Sequence, residues 1–127
     1  MVRRKTTNNH LCFNTFHALK NHLGNPGKNY AWHHIVEQSQ IGKRANFAPE
    51  WIHNTHNIVR IPSGRNTIHS KISAFYSSKD DNLTNGLTVR DWLATKDYEF
   101  QFDFGKKKLE EYGKLIYTDN GWIFESY

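Results

Sequence analysis

At 127 residues the chain is long enough for a domain with its own core, and we predict a single domain over residues 1–127. Its 37% hydrophobic and 14% aromatic residues exclude an intrinsically disordered chain, and its single cysteine excludes an internal disulfide. The formal net charge of +5 favours nucleic acid or an acidic protein as a partner. We predict no membrane span, since there is no run of about 18 apolar residues. We predict no signal peptide, since the charged N-terminus leads into polar residues.

Hydrophobic spacing and turn residues divide the first half of the chain into helices and strands. An apolar stripe that stops at Gly24 predicts the first helix, and Pro62 ends the second strand. Ile68 and Ile72 begin the stripe of a later helix. The predicted order is a helix over 10–23, a strand over 30–36, a loop over 39–47, a short helix over 48–52, a strand over 57–61 and a helix that opens at 63–64.

The second half of the chain is predicted to be mainly helical. Thr88 followed by Asp91 resembles a capping box, which marks the start of a helix. Aromatic residues alternate from Tyr98 to Phe104, so part of 97–105 is alternatively a strand. The predicted order is polar turns over 78–87, a helix from 88, a helix over 97–117 weakened by two glycines, and a short strand over 122–124. This order predicts an α+β domain with flanking helices and a short C-terminal strand or hairpin.

The residues that can carry chemistry are histidines in the middle of the chain. His33 and His34 lie in the first predicted strand, Asn57 begins the return strand, and His69 follows early in the next helix. Imidazole acts as a base or as a metal ligand near neutral pH. A pair at a strand end can place one ring on a metal and the other on a nearby water. An asparagine at Asn57 is suited to hydrogen-bond backbone groups across the loop and so to fix the histidine-bearing strand.

Three segments carry a resemblance to a known family. They resemble the three motifs of the HNH endonuclease superfamily, which has a ββα-metal fold. The segments are Trp32-His33-His34-Ile35-Val36, Asn57-Ile58-Val59-Arg60-Ile61 and His69-Ser70-Lys71-Ile72. More narrowly, the Trp-His-His spelling resembles the HH branch, which is found as C-terminal toxin domains of bacterial polymorphic and contact-dependent inhibition toxins. The resemblance covers about residues 30–77.

The resemblance implies a role for each motif residue. His33 and His69 would hold one divalent metal ion, which could be Mg²⁺, Mn²⁺, Ni²⁺ or Zn²⁺, and His34 would be the general base. Asn57 would join the catalytic set in a structural role. Many relatives carry a further histidine one helical turn after His69, where this chain has isoleucine and serine. This departure leaves the two imidazoles as the protein ligands that the motif supplies.

The implied activity is metal-dependent hydrolysis of phosphodiester bonds in nucleic acid, with DNA favoured over RNA. As a toxin domain, the chain would be delivered as part of a larger secreted protein, act in the cytoplasm of a target cell and bind a cognate immunity protein. Two alternatives stay open. One is a metal-independent ribonuclease in which two histidines act as acid and base. The other is a non-catalytic binding module for nucleic acid or protein that holds a structural zinc.

Several polar residues near the motifs have a predicted place at the site. Glu37 either holds a histidine tautomer as a hydrogen-bond acceptor or is solvated. His53, like His56, is expected in a loop or at the surface. Four basic side chains are predicted to bind substrate phosphate: Arg60, Arg65, Lys71 and His56.

Overall fold

The computed structural model describes residues 10–42 and 44–127, which form an α+β domain as predicted. Its helices and strands are α1 (Phe16–Leu23), β1 (Tyr30–His34), α2 (Pro49–Ile52), β2 (Ile58–Pro62), α3 (Ile68–Tyr76), α4 (Asp81–Thr84), α5 (Val89–Leu93), α6 (Tyr98–Glu110), β3 (Gly113–Thr118) and β4 (Gly121–Ser126). None of the helices within these ranges is long and apolar enough to cross a membrane. Segment 1–9, on which the prediction of no signal peptide depends, lies outside the described residues.

The strands form a four-stranded sheet in the order β1-β2-β4-β3. β1 and β2 are antiparallel, with Tyr30 opposite Pro62 and His34 opposite Ile58. β2 runs parallel to β4, which forms an antiparallel hairpin with β3. The hairpin turn ends at Gly121, whose φ of +102° is a conformation that glycine adopts without strain. The strand that carries the histidine pair therefore lies at an edge of the described sheet.

Three helices enclose the main core with the sheet. α3 packs on β2 and on α5, and α6 packs on β3. α6 also passes close to the chain just after β1, where a Cβ at Gly105 would lie 2.5 Å from the carbonyl oxygen of Ile35. Glycine is the residue that permits this approach. The apolar side chains buried between these elements include Val36, Val59, Ile61, Ile72, Tyr76, Val89, Leu93, Phe102 and Leu109.

The predicted helix over 97–117 is wrong in its second half. α6 ends at Glu110, and β3 follows because its residues all pair with β4. A Cβ at Gly113 would lie 2.5 Å from the carbonyl oxygen of Glu125. This glycine is therefore required by a close contact across the hairpin, which a local helical pattern does not reveal.

The alternative strand over 97–105 is also wrong, because the aromatic alternation there comes from two interleaved helical pairs. Tyr98 and Phe102 lie one turn apart on the buried side of α6, with ring centres 6.4 Å apart. Phe100 and Phe104 form the second pair, and both contact Trp92 of α5. Residues one turn apart share a helix face, so an alternating sequence can still be helical.

The other elements agree with the predictions except at their boundaries. The strands over 30–36 and 57–61 and the short helix over 48–52 are confirmed with small shifts. α1 begins at Phe16 and not at residue 10, because Cys12 forms a β-bridge with Asn54. α3 begins only at Ile68, and α4 lies within the predicted turns.

Candidate active site

A cavity of about 420 Å³, here called the histidine cleft, opens beside the end of β1. The structure brings three of the four predicted motif residues to it: His33, His34 and His69. The full lining is Trp32, His33, His34, Glu37, Gln38, Ser39, Arg44, His69, Ser73 and Arg90. The cleft thus combines imidazole, guanidinium and hydroxyl groups from β1, α3, α5 and the loop after β1.

The two adjacent histidines reach the cleft from opposite faces of β1. His33 pairs with Val59 of β2, and its ring meets the ring of His69 on α3 edge-on, with centres 5.9 Å apart. His34 lies towards α1 and α2, where its ring centre is 4.6 Å from that of Phe16. Alternation along a strand separates the rings, and the end of the strand at His34 lets both border the same cavity.

Asn57 holds the backbone around this site and is itself fully buried. Its Oδ1 accepts a hydrogen bond from the Val36 N–H at 2.8 Å, and its Nδ2 donates to the carbonyl oxygens of Val36 and Ile52 at 3.0 Å each. The backbone carbonyl of Asn57 also accepts from the Ile35 N–H at 2.9 Å. These bonds join the exit of β1 to the end of α2, which is the cross-loop bonding that the sequence predicted.

Burial favours the neutral form of two histidines of the cleft, His33 and His34. It lowers the pKa of His33 to about 3, with a further contribution from neighbouring His69. Burial also lowers the pKa of His34 well below its usual value, with contributions from His53 and then His33. A neutral imidazole keeps one ring nitrogen with a lone pair, which both a metal ligand and a general base need.

His33 and His69 fit the part of metal ligands that the resemblance implies. Both are imidazoles, His33 is held neutral, and their rings are close enough to bind one ion. One turn after His69, Ser73 borders the cleft. Within residues 10–42 and 44–127 there is no cluster of three or more His, Cys, Asp or Glu side chains placed to hold a metal. The described residues therefore offer two imidazoles, and further ligands would be water or substrate.

The positive charge at the cleft comes from arginines that sequence reasoning missed. Arg90 of α5 donates to both carboxylate oxygens of Glu37, at 2.7 and 2.9 Å, and to the hydroxyl of Ser77 at 2.9 Å. Arg44 donates to Asp91 at 2.7 Å. Glu37 therefore accepts from an arginine, and it neither holds a histidine tautomer nor stands solvated. These contacts join residues far apart in sequence, so no local pattern signals them.

The basic residues predicted to bind phosphate do not line the histidine cleft. Arg60 packs over the ring of Tyr30, with its guanidinium carbon 3.6 Å from the ring centre. Lys71 is exposed on α3, with its ammonium 6.0 Å from the ring centre of Tyr112. Arg65 is exposed in the loop between β2 and α3. Strand and helix geometry directs these three side chains away from the cavity, and phosphate binding by them stays a prediction.

The two histidines expected at the surface are both buried. His56 stacks on Phe102 of α6 with ring centres 4.8 Å apart, in an aromatic cluster away from the cleft. His53 directly follows α2, and its Nδ1 lies 3.2 Å from Nε2 of His34. The sequence places His53 directly after the correctly predicted short helix over 48–52, but no local pattern signals its contact with His34.

Comparisons with protein-family models, with curated proteins and with solved structures find no match to this chain.

Acid should destabilise the fold through the buried histidines. Between pH 6.5 and about 3 the unfolded chain protonates His33 whereas the folded chain, with the lowered pKa, does not. As the pH is lowered through this window, the free energy of unfolding should therefore decrease by about 1.4 kcal/mol per pH unit for His33 alone. Urea unfolding with chelator present, from about pH 7 to about pH 4.5, should give a shallower slope for His33→Gln than for the wild type. Equal slopes would contradict the burial argument.

Proposed function

We propose that this chain is a metal-dependent endonuclease that hydrolyses phosphodiester bonds of nucleic acid, DNA in preference to RNA. The observation that carries the proposal is the convergence of His33, His34 and His69 on one cleft, in the order and spacing of the motif resemblance. The net charge of +5 suits a polyanionic substrate.

The proposal includes a ββα-metal core within the α+β domain. β1 and β2 form an antiparallel pair, α3 follows directly in the chain, and its second residue is His69. α3 packs on β2, the partner strand of β1, and the ring of His69 meets the ring of His33 on β1. Strand, return strand and helix in this arrangement are what the resemblance implies for a ββα-metal site.

The mechanism assigns one task to each group at the cleft. His33 and His69 would hold the divalent ion, which when bound polarises the scissile phosphate. His34, neutral because of its lowered pKa, takes a proton from the attacking water. Arg44 and Arg90, each paired with a carboxylate, present guanidinium N–H donors to the phosphodiester backbone. Asn57 keeps its structural role through its three side-chain hydrogen bonds.

His33→Ala and His69→Ala should each weaken divalent-ion binding at least tenfold, because each substitution removes one of the two protein ligands. Calorimetric titration with Mg²⁺, Mn²⁺, Ni²⁺ and Zn²⁺ measures the affinity. The matched control is His17→Ala, since His17 is an exposed histidine of α1 whose ring bonds to Asn21 on the same helix. Affinities unchanged in both cleft variants would place any bound ion elsewhere.

A metal-independent ribonuclease is the second candidate, because three histidines and two arginines in one cleft also offer groups for an acid, a base and phosphate contacts. In that chemistry the RNA 2′-hydroxyl attacks, so DNA is not cut and chelator has no effect. A binding module would retain nucleic acid without cutting either kind. Incubating the purified protein with supercoiled plasmid and with total RNA, with and without chelator, separates the three functions.

We further propose that the domain acts as a toxin of bacterial competition, delivered within a larger secreted protein to the target-cell cytoplasm and neutralised by an immunity protein. The motif resemblance supports this role, and an acidic immunity protein would suit the basic chain. Expressed alone in a bacterial cytoplasm, the wild type should arrest growth and degrade nucleic acid. His17→Ala should remain toxic, and His34→Ala should be harmless. Equal tolerance of all three proteins, with intact chromosome and RNA, would contradict the toxin role.

A further inference from the structure

His34, the proposed base, forms a buried pair with His53, which has no role in the proposed mechanism so far. Nε2 of His34 lies 3.2 Å from Nδ1 of His53, and both residues are 5% exposed. The ring of Phe16 packs against both, edge-on to His34 and parallel to His53. Because this apolar ring shields the two nitrogens from water on one side, they bond to each other.

The backbone around the pair sets its geometry. The His53 N–H donates to the carbonyl of Pro49 at 2.8 Å, and the His53 carbonyl accepts from the Phe13 N–H at 2.8 Å. Asn57 bonds to Ile52, the residue before His53, and to Val36, two residues after His34. Each histidine is therefore held by the same hydrogen-bond network, and the separation of the rings follows from it.

A hydrogen bond between two imidazoles needs one donor and one acceptor, and a neutral imidazole carries a single ring hydrogen. If Nε2 of His34 donates, its Nδ1 has the lone pair. If Nδ1 of His53 donates, Nδ1 of His34 carries the hydrogen and cannot act as a base. Within the part of the chain that the structure describes, Nδ1 of His34 makes no protein hydrogen bond, and the ring borders the cleft.

We propose that His53 is a positioning residue for His34: its Nδ1 accepts the hydrogen of His34 Nε2 and so fixes the tautomer in which His34 Nδ1 can take a proton from water. The inference depends on the proposed role of His34 as the base. Orientation of a base by a third group is a general arrangement in catalysis. When Nδ1 of His34 gains its proton, the Nε2 hydrogen stays in place between the two rings, and His53 stabilises the cation that forms.

The tautomer can be measured directly on the intact protein. Two-bond nitrogen–proton correlation spectra of ¹⁵N-labelled wild type, with His34 assigned by comparison with His34→Ala, report which ring nitrogen carries the hydrogen. We expect the hydrogen on Nε2 of His34 and on Nε2 of His53. A hydrogen on Nδ1 of His34 would overturn the inference, and this result is independent of whether the protein cleaves nucleic acid.

Two substitutions at His53 then test the consequence for turnover. His53→Gln keeps a side-chain oxygen that can accept from His34, whereas His53→Leu fills similar space without an acceptor. With plasmid and RNA as probes, His53→Leu should lower kcat about tenfold to 100-fold, with KM and calorimetric metal affinity unchanged, and His53→Gln should restore most of the loss. Full activity in His53→Leu, or equal loss in both variants, would contradict a positioning role. A wild type that cleaves neither probe would refute the proposed nuclease function, and the tautomer measurement would still decide the geometry.

Discussion

Replacing His34 by alanine should reduce nucleic-acid cleavage by about 10²–10⁴-fold, the usual loss when a general base is removed. The imidazole borders the cleft next to His33 and is kept neutral by burial, which lowers its pKa. No described hydrogen bond of the backbone network depends on the His34 side chain, so the fold should remain. Rates at saturating substrate, together with a circular dichroism spectrum, measure both effects.

Two controls accompany the His34→Ala measurement: the cleavage rate of His17→Ala and the divalent-ion affinity of His34→Ala. His17 is exposed on α1, so its loss should leave the rate unchanged. Divalent-ion affinity should persist in His34→Ala, because His33 and His69 are intact. Near-full activity in His34→Ala would exclude the residue as the base and would remove the reason for a positioning role of His53.

Asn57→Ala should lower the free energy of unfolding by about 3 kcal/mol, because it leaves three buried backbone groups without their partner. The orphaned groups are the N–H and carbonyl of Val36 and the carbonyl of Ile52. Activity should fall as well, since these bonds set the exit of β1 beside His34. Urea unfolding of the variant, with cleavage rates in parallel, provides the test.

Asn21→Ala is a suitable control for this loss of stability. Asn21 is exposed, and its side chain bonds to His17 on the same helix, so its removal should change stability by less than about 0.5 kcal/mol. An unchanged unfolding curve for Asn57→Ala would contradict the structural role of its three side-chain hydrogen bonds.

The parts of the molecule that could be predicted are those that local spacing determines. The apolar pattern around His33 and His34 identifies β1, and the stripe of Ile68 and Ile72 identifies α3. Each element brings its histidine with it, so the sequence predicts the positions of the motif residues that border the cleft. Asn57 begins the predicted return strand, and its bonds to Val36 cross the loop between the two strands, as its place in the sequence predicts.

The parts that could not be predicted depend on contacts between distant segments. The pairing of Arg90 with Glu37 brings α5 to the loop after β1, and the resulting cleft wall has no local signature. Gly113 lies in a strand only because β4 supplies its partners. His53 resembles a loop residue until the fold places its ring against His34. The position of the Arg60 side chain likewise depends on a contact between strands, since it packs on Tyr30 of β1.

The central claim, metal-dependent cleavage at the histidine cleft, is tested most directly by one plasmid assay. Protein stripped of metal with a chelator and freed of the chelator by exchange is incubated with supercoiled plasmid. Mg²⁺, Mn²⁺, Ni²⁺ or Zn²⁺ is then added separately, and nicked and linear products are followed on a gel. The account predicts no cleavage before addition and cleavage with at least one of the ions. Equal cleavage before and after addition, or with excess chelator present, would contradict it.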